Sequence, residues 1–296
     1  GTTGSGEISL IDATFNINAP DKDSGKIPLG IYGEGNNILV SSIGTNATKF
    51  TVSPNAIGMY IKGNNTSKIN GLYDFSLSSE NTKDSMGIGA YLTGGAYFTT
   101  GINKLKMTST LTASNSDGAI RPIGIFYGTG STKNEANIDM LSTSKELIGI
   151  YGKDSSSFEN LGTIEVNPES SMGAYFTNSN VTNKAITTVN GEKSYGWYLK
   201  GGSSSTTAKI EALAKNSVAV LLSGKGFTGT TSFENQSGVE ILANADKAIG
   251  VYAEEGAKYI NKGILNSLNS TSIGGFAVNA TLINDTNATV NSKYVA

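Results

Sequence analysis

The sequence predicts an all-β chain, wound as a right-handed, single-chain parallel β-helix of about ten or eleven coils. An apolar phrase built around one small residue recurs ten times: LGIY at Leu29, IGMY at Ile57, IGAY at Ile88, IGIF at Ile123, IGIY at Ile148, MGAY at Met172, YGWY at Tyr195, VAVL at Val218, IGVY at Ile249 and IGGF at Ile273. Its anchors, Gly30, Gly58, Gly89, Gly124, Gly149, Gly173, Gly196, Ala219, Gly250 and Gly274, lie 23 to 35 residues apart, the period of a solenoid. Between the phrases lie short extended runs, punctuated by Gly, Asn and Ser and rich in β-branched residues, a pattern hostile to helices.

The regular middle defines one coil. Thr163 to Val166 alternates polar with apolar residues, Met172 to Phe176 is the glycine phrase, and Val181 to Asn183 is a third run, so each turn carries three strands. Such a coil cannot hide its apolar face alone and is stable only when stacked on its neighbours. At about 4.8 Å per coil the rod is on the order of 50 Å long. The repeat runs almost end to end, so residues 1–296 read as one unit. Asn284 to Ala296 resembles the run that elsewhere precedes another phrase, and both ends read as cuts through a repeat of a longer parent chain.

Within the phrase, the residues immediately before and after the glycine form the more aliphatic set and are assigned to the interior, with the glycine and the following aromatic outside. Tyr32, Tyr60, Tyr91, Phe126, Tyr151, Tyr175, Tyr198, Leu221, Tyr252 and Phe276 then form an outward ladder, with room for the rings left by the glycines. The alternatives are that the rings lie beneath the chain's own loops or point inward. A second repeated element is an asparagine near the third corner, Asn160, Asn183, Asn235, Asn261 and Asn284, expected to bond from coil to coil and to accept the left-handed backbone of a corner.

Longer intervals mark candidate inserted loops at 33–55, 94–122 and 223–246, where a solenoid often carries binding. Tyr97, Phe98 and Phe227 stand there in glycine-rich surroundings and offer contacts to a sugar or protein, or plugs for the core ends. With Tyr151, Tyr175, Trp197 and Tyr198 they make up the candidate binding surface. Alanine at Trp197 and Tyr198 is expected to weaken partner binding without unfolding the chain.

Composition removes other functions. The chain has no cysteine and no histidine, hence no disulfide, thiol catalysis, thiolate metal site or imidazole base. A net charge of -2 and one arginine, Arg121, offer no footprint for nucleic acid. No apolar run is long enough to span a membrane as a helix, and the first residues lack the pattern of a signal peptide. Asp21, Asp23 and Gly25 resemble part of a calcium loop without its later acidic ligands, and read as a solvated turn. A carboxylate pair on neighbouring coils could in principle cleave a glycoside, but no pair recurs at fixed depth, and no nucleophile elbow, dinucleotide fingerprint or phosphate loop is present. No enzyme activity, cofactor or metal is expected.

The phrases LGIY, IGMY, IGAY, IGIY and IGVY, in an Asn/Ser/Thr/Lys-rich background with FENLGTIEV and TNKAITTVN between them, resemble the passenger region of the large fusobacterial autotransporter adhesins. The likeness runs over nearly the whole chain. It implies a monomeric, exported passenger at the cell surface, held by a C-terminal outer-membrane β-barrel outside this segment. It also implies roles in coaggregation with bacteria or attachment to host cells, through surface proteins or galactose-type glycans. It carries no catalytic motif onto numbered positions. Two functional classes follow: an adhesin segment, which needs a contiguous apolar or aromatic surface, and a spacer stalk holding an adhesive tip away from the cell, which needs a uniformly polar one.

Overall fold

A computed structural model describes residues 2–19, 26–79, 86–111, 121–155 and 157–293, and these residues form a parallel β-helix with no helix among them. The glycine phrases build the first sheet, eleven strands running from Thr2–Thr3 through Ile57–Lys62, Ile148–Lys153 and Tyr195–Lys200 to Ile273–Val278, all parallel. A second column of strands includes Gly6–Leu10, Ser157–Asn160, Val181–Asn183, Gly202–Thr206 and Thr231–Asn235. A third includes Thr14–Ile17, Thr48–Val52, Ile164–Val166, Thr187–Val189 and Ile210–Ala212. Two long strands, Tyr97–Leu111 and Ser131–Met140, each serve the second and third columns in turn.

The glycine phrase does not alternate as a plain strand does. A Cβ placed on Gly58 would lie 3.3 Å from the Phe50 ring, on Gly89 2.4 Å from Phe75, and on Gly124 2.2 Å from Met107 Sδ, so the bare face of each glycine points into the core. The next side chain points inward too: Met59, Ala90, Ile125, Ile150, Ala174, Trp197, Val220 and Val251 have no exposed surface. Alternation therefore breaks at the glycine. This corrects the expected facing in two ways. The glycine makes room for core side chains of the third column rather than for outer rings, and the residue before it sits at the rim. There Ile57, Ile123, Ile148 and Val218 are nearly buried, while Ile88, Met172, Tyr195 and Ile249 are half-buried.

The asparagines form an internal spine. Asn134 Nδ2 donates to Asn160 Oδ1 (2.9 Å), and Asn160 Nδ2 to Asn183 Oδ1 (2.9 Å). Asn183 Nδ2 then donates to Thr206 Oγ1 (3.2 Å), and beyond it Asn235 donates to Asn261 (3.0 Å) and Asn261 to Asn284 (2.8 Å). Buried amides of this kind are stable only when bonded, and each bond fixes the axial register of two coils. None of these asparagines has a positive φ, contrary to expectation. The left-handed corners fall instead on Glu146, Ser170, Lys193, Asn216 and Lys247, each two residues before a phrase, with φ of 53° to 55°.

The expected loops are mostly coil. Residues 33–55 contain the ordinary strands Ile38–Ser42 and Thr48–Val52, and 223–246 contains Thr231–Asn235 and Glu240–Ala243. Within 94–122, the strand Tyr97–Leu111 turns a corner through a bulge that leaves Ile102 97% exposed, and 112–120 lie outside the described residues, as do Asp21, Asp23 and Gly25.

Candidate binding surfaces

Two surfaces of the exterior stand out by their geometry, while other exposed apolar side chains, such as Ile11, Ile43 and Ile186, lie outside them. The first is the outer face of the first sheet, where the aromatic residue two places after each glycine points to solvent and parallel pairing brings successive rings into register. Ring centroids are 5.6 Å apart for Tyr32 and Tyr60, 5.1 Å for Tyr60 and Tyr91, and 4.5 Å for Tyr91 and Phe126, all stacked. The row goes on through Phe126 and Tyr151 (5.0 Å), Tyr151 and Tyr175 (5.2 Å), and Tyr175 and Tyr198 (4.8 Å). Leu221 interrupts it before Tyr252 and Phe276 resume the stack at 5.5 Å.

Stacking along the rod has a chemical consequence. From Tyr32 to Phe126 and again from Tyr175 to Tyr198 the rings stack face to face and present mainly edges and hydroxyls to solvent, whereas Tyr151 meets Phe126 edge-on (65°) and lies tilted to Tyr175 (44°). One flank carries the half-buried Ile88, Met172, Tyr195 and Ile249, and the other Lys62, Thr93, Lys153, Thr177 and Lys200. The result is a flat strip, apolar on one side and polar on the other, suited to broad contact rather than to enclosing a small molecule. The Tyr175 phenol is pushed up to about 12, by burial first and then by the neighbouring Tyr198 and Tyr151 phenols. Burial likewise raises Tyr91 and Tyr198. These hydroxyls are therefore neutral donors at any physiological pH.

The second surface lies on the second column. Seven residues, 224–230, leave the coil between Val218–Ser223 and Thr231–Asn235, where the preceding coil turns through Gly201 alone. Phe227 folds back over Gly201, whose missing Cβ would stand 2.6 Å from the ring, and Lys200 Nζ lies 5.6 Å from the ring centroid. Beside it is an open hollow of about 550 Å³, continuous through Asn180 and Ser203 with a second of about 370 Å³.

The sequence-predicted residues therefore separate. Tyr151, Tyr175 and Tyr198 lie together on the strip, and Phe227 borders the hollow. Tyr97 faces outward elsewhere, under Lys133 Nζ at 4.4 Å. Phe98 and Trp197 are core residues and leave the candidate set: Phe98 packs edge-on against Tyr73 (5.5 Å) and Phe75 (6.1 Å) with no exposure. Trp197 is equally buried, and its Nε1 donates to Thr187 Oγ1 (3.0 Å). The error arose at Trp197 because it and Tyr198 are adjacent and point to opposite sides of one strand. Sequence reasoning missed the small outward residues of the hollow, which carry no motif. It also missed Asn134, which lies in register with Asn160.

Carboxylates are occupied with lysines along the rod, as in Glu34 with Lys62 (2.8 Å), Glu159 with Lys184 (2.7 Å) and Glu169 with Lys145 and Lys193 (both 3.0 Å). Among the described residues no group of three or more acidic residues is placed to hold a metal ion.

No family model matches the chain, and no curated protein matches it. Among solved structures, the A-module of mannuronan C-5 epimerase AlgE6 from Azotobacter vinelandii aligns over 99% of this chain and 91% of its own at 11% identity, with a TM-score of 0.25, too low to carry any argument.

Proposed function

We propose that this rod is a non-catalytic adhesive segment of an exported cell-surface passenger, attaching to bacterial or host cells through the outer face of its first sheet. The observation that carries the reading is the strip from Tyr32 to Tyr198: seven rings in unbroken contact on one flat face. A structural role explains the contacts between rings, but the row of half-buried rings, with the half-buried Ile88, Met172 and Tyr195 beside it, still leaves apolar surface along one face, a feature that supports an interaction site. The flat outline favours a protein surface as partner. The resemblance of the repeats to fusobacterial passengers, and the lack of cysteine in a chain that would cross two membranes unfolded, support export.

The spacer reading has its own support. Inserted loops are fewer than the intervals suggested, most ring faces of the ladder lie against other rings, and lysine–carboxylate pairs dress much of the exterior. Binding of the purified segment to intact oral bacteria and epithelial cells separates the two, with the double variant Tyr151→Ser/Tyr175→Ser as the comparison. Saturable binding lost in a variant that keeps its circular dichroism supports adhesion through the strip. No binding by the folded parent chain would make it a stalk.

A further inference from the structure

We infer that the hollow beside Phe227 is a subsite for a neutral saccharide, separate from the aromatic strip but resting on the reading of the rod as a binding protein. The floor is made by the strand Gly202–Thr206, whose outward residues are Ser203 and Ser205. In register on either side stand Thr182 with Ser205, Ser203 with Ser232, and Ser205 with Glu234. Along this row the short Thr182 and Ser205 lie between Glu159 on one side and Glu234 and Ile260 on the other, which leaves a saddle between taller ends.

Its polar groups are held in place. Ser203 N donates to Asn180 Oδ1 (2.9 Å) and Ser232 Oγ to Ser203 Oγ (3.3 Å), while Thr182 and Ser205 keep their hydroxyls for solvent among the described residues. The excursion at 224–230 adds nothing to the core. It brings one aromatic ring to the edge of the hollow, with the Phe227 backbone turned by its N–H bond to Gly224 O (3.1 Å) and the ring seated on Gly201. Gly201 has φ +81, and a side chain there would occupy the ring's place.

The lining chemistry selects among ligands. The residues that line the hollow include Glu234 and no lysine or arginine, so an anion would meet a carboxylate there, while Lys200, Lys225 and Lys258 stand at its border and Lys262 is held by Glu234. An extended peptide has no edge to join, because Gly202–Thr206 is paired on both sides. An aliphatic ligand would strand the hydroxyls without partners. A neutral, polyhydroxylated ring satisfies the set: its hydroxyls exchange hydrogen bonds with serine, threonine and asparagine, and its C–H face lies on the phenyl ring. The two hollows, about 550 and 370 Å³, share Asn180 and Ser203, and their open shape implies weak affinity per site.

The test is titration of the whole chain with neutral oligosaccharides of hexose and N-acetylhexosamine, and with sialylated counterparts, read by saturation-transfer NMR and calorimetry. Phe227→Ala and Ser205→Arg change side chains outside the core and are expected to lower affinity for a neutral oligosaccharide about tenfold or more. Tyr151→Ser, on the other sheet, is expected to leave it unchanged. Equal affinity in both hollow variants, a preference for the sialylated ligands, or no binding of any oligosaccharide by the folded chain would overturn the inference. Cell binding that survives Phe227→Ala but not the strip variants would leave the adhesive reading standing and remove this site from it.

Discussion

Trp197→Ala and Tyr198→Ala differ by one residue and should differ severalfold in cost. The Trp197 ring has no exposed surface, lies over Phe176 at 6.0 Å between centroids and donates to the buried Thr187 hydroxyl. Truncating a buried Trp costs about 3–5 kcal/mol, and depriving a buried hydroxyl of its donor adds roughly 1 kcal/mol. The total of about 4–6 kcal/mol is comparable with the whole stability of an ordinary domain. Tyr198 loses one stacking partner, Tyr175 at 4.8 Å, and part of a half-buried ring, for about 1–2 kcal/mol. Urea titration followed by circular dichroism should show a large drop in midpoint for the first variant and a small one for the second, with similar slopes. Trp197 is the single tryptophan, so the parent chain should also emit at short wavelength and resist acrylamide until it unfolds. Equal midpoints for the two variants, or ready quenching in the folded chain, would refute the assignment of Trp197 to the core.

The remaining predictions use the same repeat. Gly173→Ala puts a Cβ 2.7 Å from Gly196 O and 2.8 Å from Val166 Cγ2, so it should destabilise by about 1–3 kcal/mol, and Val166→Ala in the same chain should recover part of the loss; additive costs would refute the contact. Asn160→Ala removes the acceptor of Asn134 and the donors to Gly162 O and Asn183, a loss of about 2–3 kcal/mol by urea titration. Asn160→Thr should cost less, since Thr206 already fills this position by accepting from Asn183 and donating to Ala208 O (2.7 Å). Burial raises the Tyr73, Tyr127 and Tyr259 phenols above their ordinary value, and Tyr175 is pushed up to about 12. Because the unfolded phenols ionise near ~10, this stability is complete below that pH and lost as pH rises through the folded values. Midpoints measured from pH 9 upward should therefore fall as phenolate absorbance appears, and a flat profile would count against the burial of these rings.

The coil was legible because its period is written in one phrase, and the three runs of the middle coil match Ile164–Val166, Met172–Thr177 and Val181–Asn183 closely. The aromatic ladder and the asparagine spine were legible for the same reason: stacking in register turns a repeated letter into a contact. What the period could not supply was the direction of a side chain next to glycine. A residue without Cβ lets the backbone bend, so alternation counted through Gly196 misplaces its neighbours' rim and core. Loop content was overread at 33–55, where long turns between ordinary strands, not an insertion, lengthen the interval. The saddle was invisible because shallow relief on a sheet depends on small residues in register across coils that lie far apart in sequence.

Ala219 shows how strictly the repeat is enforced, and so which departures from it call for another explanation. It is the one phrase anchor that is not glycine, and it is fully buried. In the two preceding coils the anchor glycines face Val166 and Val189, whose Cγ2 atoms would stand 2.8 Å and 3.2 Å from an added Cβ. The position in register with Val189 in the next coil is Ala212, smaller by two methyl groups, which leaves room for the one methyl that Ala219 adds. An inward change is thus matched by an inward compensation, as a close-packed interior requires. No such compensation attends the segment 224–230 or the bulge at Ile102: each adds residues that fill no space in the core. The ladder rings keep the period and contact one another, whereas Phe227 breaks the period, is seated by a glycine and borders a hollow, so packing within the repeat does not account for its place.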